Sequence, residues 1–210
     1  MPTIPAEPDI DPQTVPDLYF IRHGQTEWNL QGRFQGISDI PLNDTGRRQS
    51  DHIGANLAEL VTRAGQAPRA LQLFSSPLLR ARQTSEIICG KLDVTTDWLT
   101  FEPDLGEISY GDWEGMTTLE VKAAFPIARK RRKADRWLFS PPHGESPASR
   151  VPALHSFLTA RKSPSIIVTH TGVIRICLYL LGFLQRENAL VEPISQDKIY
   201  VISKGSLARI

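Results

Sequence analysis

The chain has 210 residues, of which 40% are hydrophobic and 22% charged, and its formal net charge is +1. This length allows one sizeable core, so we expect one domain with at most a small cap. The near-neutral charge gives no indication of a nucleic-acid or membrane partner, and the longest apolar tract is interrupted by Arg175 and far short of the ~20 residues that span a bilayer.

The N-terminal segment differs in composition from the rest of the chain. Five prolines fall among the first sixteen residues, a pattern typical of extended or disordered chain, so we expect residues 1–16 to be a lead-in and residues 17–210 to form the domain. This segment has no lysine, no arginine and no continuous apolar stretch, which argues against a secretory signal and for a cytoplasmic protein. Cys89 and Cys177 each lie in an apolar helical context, and we expect two buried free thiols rather than a disulfide.

Short apolar runs alternate with segments whose apolar residues recur at helical spacing. In chain order we predict a strand at residues 18–22, a helix from residue 45, a strand at 70–74, a helix at 77–91, a short strand at 94–96, a helix from residue 118, a helix at 149–160, a strand at 165–169, a helix at 172–181 and an edge strand at 198–203. This alternation predicts a three-layer α/β/α sandwich with a mostly parallel central sheet.

Local signals mark two of the helix starts. Ser76 and Pro77 supply an N-cap and a first-turn proline. Thr117 and Glu120 have the spacing of a capping box.

Two of the predicted strands end in a histidine. The tripeptide Arg22-His23-Gly24 closes the first strand, and His170 follows the strand at 165–169. Because the carboxyl ends of parallel strands lie on the same side of a sheet, the two imidazoles can meet there. The strand at 70–74 leads into a helix whose first turn carries Arg80, so two histidines and two arginines can share one pocket.

Such a pocket suits a phosphoryl group. The guanidinium groups of Arg22 and Arg80 offer paired donors that match phosphate oxygens, and they stay charged at every working pH. An imidazole among these cations is held largely unprotonated, because neighbouring positive charge disfavours a second proton. It is then free to attack phosphorus.

Five segments of the chain resemble the histidine phosphatase superfamily, the phosphoglycerate mutase-like enzymes. They are, in the order of that family, RHGQT at residues 22–26, LNDTG at 42–46, SSPLLRA at 75–81, LGEISYGDWEG at 105–115 and THTG at 169–172. The resemblance runs from about residue 17 to residue 203. It implies a histidine phosphatase domain with a cap at roughly residues 113–143, and it implies no metal and no cofactor.

The resemblance also implies roles for single residues. His23 would take the phosphoryl group as a phosphohistidine, and Glu107 would donate a proton to the leaving oxygen and then accept one from water. The phosphate-binding positions that it implies are Arg22, Asn29, Gln35, Arg80, His170 and Thr171. Other carboxylates near Glu107 fit the family pattern less well; these are Glu102, Asp104 and Glu114.

Several other polar residues are expected to have no catalytic role. We interpret Arg82 as a helix-surface arginine and His52 and His155 as solvated or structural histidines. The basic run at residues 129–133, with Arg136, is typical of a solvated helix face, although its position in the cap leaves open that it attracts a second acidic group of the substrate. Residues 143–146 resemble a segment that borders the pocket, and because Pro147 follows them we expect the next helix to begin late.

Three functions remain in competition. The first is a phosphatase that hydrolyses a small phosphomonoester, with neither nucleic acid nor a membrane as partner. The second is a phosphoglycerate mutase, which uses the same chemistry; the mutases compared have longer insertions, whereas 63 residues (170 − 107) separate Glu107 from His170 here. The third is a binding module without turnover, against which the presence of His23, Glu107 and His170 argues.

Overall fold

A six-stranded sheet forms the centre of the molecule in a computed structural model that describes residues 9–210. The strands are β1 (Leu18–Arg22), β2 (Gln72–Ser75), β3 (Leu99–Phe101), β4 (Ser165–Thr169), β5 (Ile199–Ser203) and β6 (Ser206–Arg209). Their order in the sheet is β3-β2-β4-β1-β5-β6. The first four in this order run parallel to one another, and β5 and β6 are antiparallel to their neighbours. The predicted α/β fold with a mostly parallel sheet is confirmed.

Helices cover both faces of this sheet. They are α1 (Glu27–Leu30), α2 (Asp44–Arg63), α3 (Leu79–Lys91), α4 (Thr118–Ala124), α5 (Pro126–Ala134), α6 (Pro147–Thr159), α7 (Thr171–Leu180) and α8 (Arg186–Ala189). Side chains alternate across a strand, so β1 contributes Leu18 and Phe20 to one core with α6 and α7, and Tyr19 and Ile21 to another core with α2 and α3. The sheet is therefore the middle of three layers, with one core on each face and helices outside each core.

Two predicted strands, one on either side of α3 in the chain, differ from the structure. Residues 94–96 form no strand, because Asp93, with a φ of 53°, turns the chain, and a 3₁₀ turn at Thr96–Trp98 precedes β3. The strand expected at 70–74 begins two residues later, after the 3₁₀ turn Pro68–Ala70.

The last predicted strand lies inside the sheet rather than at its edge. β5 pairs with β1 on one side and with β6 on the other. The chain reverses between β5 and β6 at Lys204 and Gly205, which both have positive φ, as a tight hairpin turn requires. The edge strand is therefore β6.

Two helices begin at other residues than predicted. The helix expected from Pro77 begins at Leu79, and Ser76 Oγ accepts a hydrogen bond from the N–H of Leu78 instead of capping the helix. The helix expected from residue 149 begins at Pro147 with Ser146 as its N-cap, because proline is tolerated in the first turn, where its missing N–H has no helical partner. The capping box of Thr117 and Glu120 at the start of α4 is confirmed.

Part of the predicted lead-in packs against the domain. Residues 1–8 lie outside the described residues, but Ile10 is buried against α6 and α7, and its N–H donates to the carbonyl oxygen of Leu180 at 3.2 Å. Asp9 contacts His155 on α6. An isoleucine in a proline-rich segment can thus join the core without secondary structure of its own. The expectation of disorder is thus wrong for the stretch around Ile10.

Both cysteines are free and buried, as predicted. Burial raises the pKa of Cys89 to about 11 and also raises that of Cys177. Within the described part of the chain, none of the helices is long and apolar enough to cross a bilayer.

Two glycines bring the turn after β1 against the start of α2. A Cβ on Gly24 would lie 2.3 Å from the carbonyl oxygen of Gly46, and a Cβ on Gly46 would lie 2.1 Å from the carbonyl oxygen of Gln25. The two backbones therefore touch directly, and only glycine allows that approach.

Gly46→Ala is expected to lower the free energy of unfolding by about 1–3 kcal/mol or more, because the new methyl group overlaps backbone that cannot rotate away. Gly90→Ala is the control: nothing lies within 4 Å of a Cβ there, and the substitution in α3 should raise stability by about 0.5–1 kcal/mol. Urea unfolding followed by circular dichroism measures both. Equal midpoints for the two variants would contradict the contact.

Candidate active site

The candidate site lies at the carboxyl ends of β1 and β4. His23 directly follows β1, and its N–H donates to the carbonyl oxygen of Thr169 at 3.0 Å. His170 directly follows β4 and precedes α7. The two imidazole rings lie 5.0 Å apart between centroids, so the sheet brings together the histidines that the sequence places in opposite halves of the chain.

One ring nitrogen of His23 is held by the backbone. Its Nδ1 lies 2.7 Å from the carbonyl oxygen of Gly24. A carbonyl oxygen only accepts hydrogen bonds, so the proton of the neutral ring is on Nδ1 and the lone pair is on Nε2. Burial, and then the guanidinium groups of Arg80 and Arg22, hold the pKa of His23 well below its usual value.

Both predicted arginines are fixed by backbone carbonyl groups. Arg80 is fully buried and donates to the carbonyl oxygens of Ser38 at 2.8 Å and Gly36 at 2.7 Å. Arg22 donates to the carbonyl oxygen of Ile194 at 2.8 Å, and burial lowers its pKa to about 10, so it stays charged at neutral pH. The Nε atom of each arginine is buried without a hydrogen-bond partner among residues 9–210.

A pocket of about 140 Å³ opens beside these groups. The predicted site residues that line it are Arg22, His23, Asn29, Gln35, Arg80, Glu107 and Thr171. Phe34 and Tyr110 form an aromatic wall, with their ring centroids 4.8 Å apart.

His170 lies behind this pocket. It is fully buried, and its Nε2 lies 2.7 Å from Ser76 Oγ. Its Nδ1 has no partner among the described residues. Burial and the nearby Arg80 hold the pKa of His170 well below its usual value. Sequence reasoning missed Ser76 as a contact of His170, because the Ser-Pro pair resembles a helix start.

A short network fixes the polar side of the pocket. The amide group of Gln35 donates to Thr26 Oγ1 at 2.6 Å, while Asn29 Oδ1 accepts from the N–H of Thr26 at 3.2 Å. Gln196 donates to Asn29 Oδ1 at 3.0 Å and to the carbonyl oxygen of His23 at 3.2 Å. Gln196 was not predicted, because it lies in the loop before β5 and belongs to no motif.

Hydrogen bonding distinguishes Glu107 from its rival Glu114. Glu107 is half-buried and lines the pocket, and its carboxylate accepts from the N–H groups of Ile108 at 3.0 Å and Gly172 at 3.3 Å. The carboxylate of Glu114 instead accepts from the N–H groups of Ile37 at 3.0 Å, Ser38 at 2.9 Å and Tyr110 at 3.1 Å. Glu114 therefore ties two loops together and has few lone pairs left for a reaction.

The loop that carries Glu107 is supported from α6. Arg150 donates to the carbonyl oxygens of Asp104 at 3.0 Å and Gly106 at 3.4 Å. Glu145 accepts from the N–H of Ser109 at 3.0 Å, so the segment at residues 143–146 borders this loop. Across residues 9–210, no group of three or more histidine, cysteine, aspartate or glutamate side chains is placed to hold a metal ion.

The buried histidines make stability depend on pH. Each has a lowered pKa in the folded protein, so between pH 6.5 and the lower folded value only the unfolded chain binds the proton. Stability is then complete above pH 6.5 and falls below it, by up to about 1.4 kcal/mol per pH unit for each histidine.

We expect the urea midpoint of the protein to fall between pH 6.5 and pH 5.5. His170→Gln should reduce this slope, since it removes one of the two groups. His52→Gln is the control, because His52 is an exposed histidine, and it should keep the full slope. A midpoint that is constant over this range would contradict the burial of neutral imidazoles.

The carboxyl ends of β1 and β4 thus present two imidazoles beside the guanidinium groups of Arg22 and Arg80, an arrangement whose charge and donors suit a phosphoryl group. The sequence model of the histidine phosphatase superfamily (branch 1) matches residues 18–203. The chain belongs to this superfamily.

Curated relatives agree with this assignment. The phosphoglycerate mutase-like protein 4 of Arabidopsis thaliana is 33% identical over 168 residues, which cover 76% of this chain and 68% of that protein. The glucosyl-3-phosphoglycerate phosphatase of Mycolicibacterium vanbaalenii is 35% identical over 170 residues, which cover 75% of this chain and 70% of that protein. Phosphoglycerate mutases also occur among the relatives.

Solved structures show the same fold. The mycobacterial glucosyl-3-phosphoglycerate phosphatase in complex with VO3 matches with a TM-score of 0.69 and 26% identity, over 89% of this chain and 92% of that chain. The alpha-ribazole phosphatase from Shigella flexneri matches in fold with a TM-score of 0.73 at 21% identity, over 88% of this chain and 89% of that chain. Together these comparisons confirm the predicted superfamily and the predicted class of enzyme, a phosphomonoesterase.

Proposed function

We propose that the chain hydrolyses a small phosphomonoester through a phosphohistidine on His23. The observation that carries the proposal is the state of this ring: Nδ1 is bound to the Gly24 carbonyl group, and Nε2 is left unprotonated beside Arg22 and Arg80. An unprotonated nitrogen among fixed cations is a nucleophile placed where an anionic phosphoryl group binds.

In the first step, Arg22 and Arg80 hold the phosphoryl oxygens; His170, for which the sequence predicts the same role, does not line the pocket, and its Nε2 contacts Ser76. His23 Nε2 attacks phosphorus, the P–N bond forms, and the P–O bond to the leaving group breaks. Glu107 gives its proton to the leaving oxygen. Phosphate monoesters are among the slowest compounds to hydrolyse unaided, so most of the barrier must be removed by charge stabilisation and positioning, which rigid guanidinium groups supply.

In the second step, water attacks the phosphohistidine. Glu107, now ionised, accepts a proton from this water as the new P–O bond forms and the P–N bond breaks. Orthophosphate leaves, and His23 Nε2 and the protonated Glu107 are restored. One carboxyl group thus serves both half-reactions, first as acid and then as base.

Hydrolysis is favoured over transfer to a second hydroxyl group by the position of Glu107. A mutase must keep its phosphohistidine away from water, whereas Glu107 is only half-buried and lies within reach of solvent. The short stretch between Glu107 and His170 supports the same assignment. The mutase relatives make this the second candidate.

Phosphate release from p-nitrophenyl phosphate, measured with and without a chelator, tests the proposal. We expect turnover that the chelator does not change. Absence of turnover would favour a binding module, and turnover lost on chelation would contradict the metal-free mechanism. Isomerisation of a phosphoglycerate that depends on added 2,3-bisphosphoglycerate and exceeds phosphate release would favour the mutase.

A further inference from the structure

The loop at residues 190–198 leads into β5 and lies beside the residues that follow β1. β5 is antiparallel to β1, with Ile199 opposite Ile21, so the chain just before β5 runs along the chain just after β1. The side chain of Gln196 in this loop accordingly donates to the carbonyl oxygen of His23 at 3.2 Å, although 173 positions separate the two residues. The topology of the sheet therefore places Gln196 against the nucleophile of the proposed reaction.

Other contacts fix this loop in place. The hydroxyl group of Tyr200, a buried residue of β5, accepts from the N–H of Ser195 at 2.7 Å and donates to the carbonyl oxygen of Pro193 at 3.3 Å. Ile194 is buried, and its carbonyl oxygen accepts from Arg22 at 2.8 Å. The loop is therefore attached both to β5 and to the end of β1.

The side-chain amide of Gln196 joins two groups of the site. Its Nε2 donates to the carbonyl oxygen of His23 and, at 3.0 Å, to Asn29 Oδ1. A carbonyl oxygen only accepts hydrogen bonds, so the amide atom of Gln196 that faces His23 is the nitrogen. This nitrogen carries two hydrogens, one for each of the two acceptors.

Two donors determine the orientation of the Asn29 amide. Its Oδ1 accepts from the backbone N–H of Thr26 at 3.2 Å and from Gln196 at 3.0 Å. A backbone N–H only donates, so the amide atom of Asn29 that faces Thr26 is the oxygen, and the two donors occupy both of its lone pairs. The group of this amide that remains for other contacts is therefore the Nδ2 donor.

The Nδ2 atom of Asn29 is open to a ligand. Asn29 is half-buried and lines the phosphoryl pocket, and no residue among 9–210 accepts a hydrogen bond from its Nδ2, which is not a buried atom. The start of α1 does not need Gln196, since its capping box consists of Thr26 and Asn29 alone. Without Gln196, one donor fewer would oppose rotation of the amide, and an amide oxygen turned to a phosphoryl group would repel it.

We propose that Gln196 is a positioning residue for phosphoryl binding: it fixes the Asn29 amide so that Nδ2 donates to a phosphoryl oxygen. Gln196 does not line the pocket, so it acts on the ligand through Asn29. This inference rests on the proposed function and gives the loop before β5 a part in binding the phosphoryl group.

Gln196→Met tests this inference, because it keeps the length and the neutrality of the side chain and removes both donors. We expect the Kd of orthophosphate, measured by calorimetry, to rise about three- to tenfold, and kcat/KM for p-nitrophenyl phosphate to fall by a similar factor. Gln83→Met is the control. Gln83 is also half-buried and accepts from the N–H of Leu42 at 2.9 Å, but it does not line the pocket, and its loss should leave the Kd unchanged.

A double-mutant cycle with Asn29→Ala separates positioning from a general effect on the fold. If Gln196 acts through Asn29, Gln196→Met should change the Kd of orthophosphate by less than about twofold once Asn29 is alanine. A purely structural role of Gln196 would instead give the same loss in both backgrounds. The cycle in kcat/KM for p-nitrophenyl phosphate provides a second measurement.

Additive losses in this cycle would overturn the inference, as would an unchanged Kd in Gln196→Met or equal losses in Gln196→Met and Gln83→Met. Failure of the proposed function is distinct from these outcomes. A protein that binds orthophosphate with the expected coupling but releases no phosphate from any monoester would refute the proposed function alone, whereas hydrolysis with additive losses would refute the role of Gln196 alone.

Discussion

His23→Ala is expected to release no measurable phosphate from any monoester and to take up no label from a phosphorylated substrate. His23 presents the unprotonated Nε2 among the fixed cations, and the other buried imidazole, His170, lies behind the pocket with its Nε2 on Ser76. Removal of the nucleophile from a covalent mechanism costs on the order of 10⁴- to 10⁶-fold in rate.

The stability of the phosphoryl label in acid and in base identifies the type of residue that carries it. Rapid quenching with radiolabelled substrate should give an acid-labile, base-stable label in the wild type and none in His23→Ala. His52→Ala is the matched control, since it removes an exposed histidine that contacts Asn56, and it should keep the label. Label retained in His23→Ala would reject His23 as nucleophile.

Glu107→Gln is expected to slow hydrolysis in proportion to how poor the leaving group is. An alkyl oxygen needs a proton as it departs, whereas p-nitrophenolate leaves without one. The loss should therefore be about 10²- to 10⁴-fold for an alkyl phosphate and much smaller for the phosphorylation step with p-nitrophenyl phosphate. The amide keeps the shape of the side chain, but its single oxygen can accept from only one of the N–H groups of Ile108 and Gly172, so the loss with p-nitrophenyl phosphate measures the change in position.

Pre-steady-state phosphorylation rates for the two substrates provide the measurement, because they separate the first step from hydrolysis of the phosphohistidine. Glu102→Gln is the control: this carboxylate is on the same loop but does not line the pocket, and both rates should remain close to those of the wild type. Equal losses for both leaving groups in Glu107→Gln would exclude the acid role and leave a positioning role.

The convergence of the histidines could be predicted because it follows from local pattern and one general rule. An apolar run that ends in a histidine indicates a strand end, and parallel pairing places such ends together. β1 and β4 do pair in register, from Leu18 opposite Ser165 to Arg22 opposite Thr169. The position of Arg80 on the first turn of α3 follows in the same way.

Other parts of the site depend on contacts between distant segments that no local pattern reports. Gln196 reaches the backbone of His23 from the loop before β5, and Ser76 contacts His170 across the sheet. Ile10 joins the core that contains α6 and α7, although the composition of its segment indicates disorder. In each case tertiary packing decides the position, and the local sequence is neutral or misleading.

The misplaced strands have a related cause. Residues 94–96 and 99–101 are both short and partly apolar. The turn at Asp93 and the pairing with β2 determine that residues 99–101 form the strand. Short strands have little intrinsic preference, so the partner that is available determines which residues pair. β5 lies inside the sheet because the chain reverses at Lys204 and Gly205, where no apolar pattern indicates a further strand, and adds β6 beyond it.

The backbone carbonyl groups that bind Arg22 and Arg80 restrict the rotamers of these side chains already in the folded protein without ligand. Each arginine side chain has rotamer entropy worth about 2 kcal/mol, and here it is restricted during folding, by the carbonyl oxygens of Ile194, Gly36 and Ser38, before any ligand arrives. Ligand binding therefore does not have to immobilise them again. A tetrahedral oxyanion therefore binds to a rigid site. This site is equally complementary to orthophosphate, the product that must leave it.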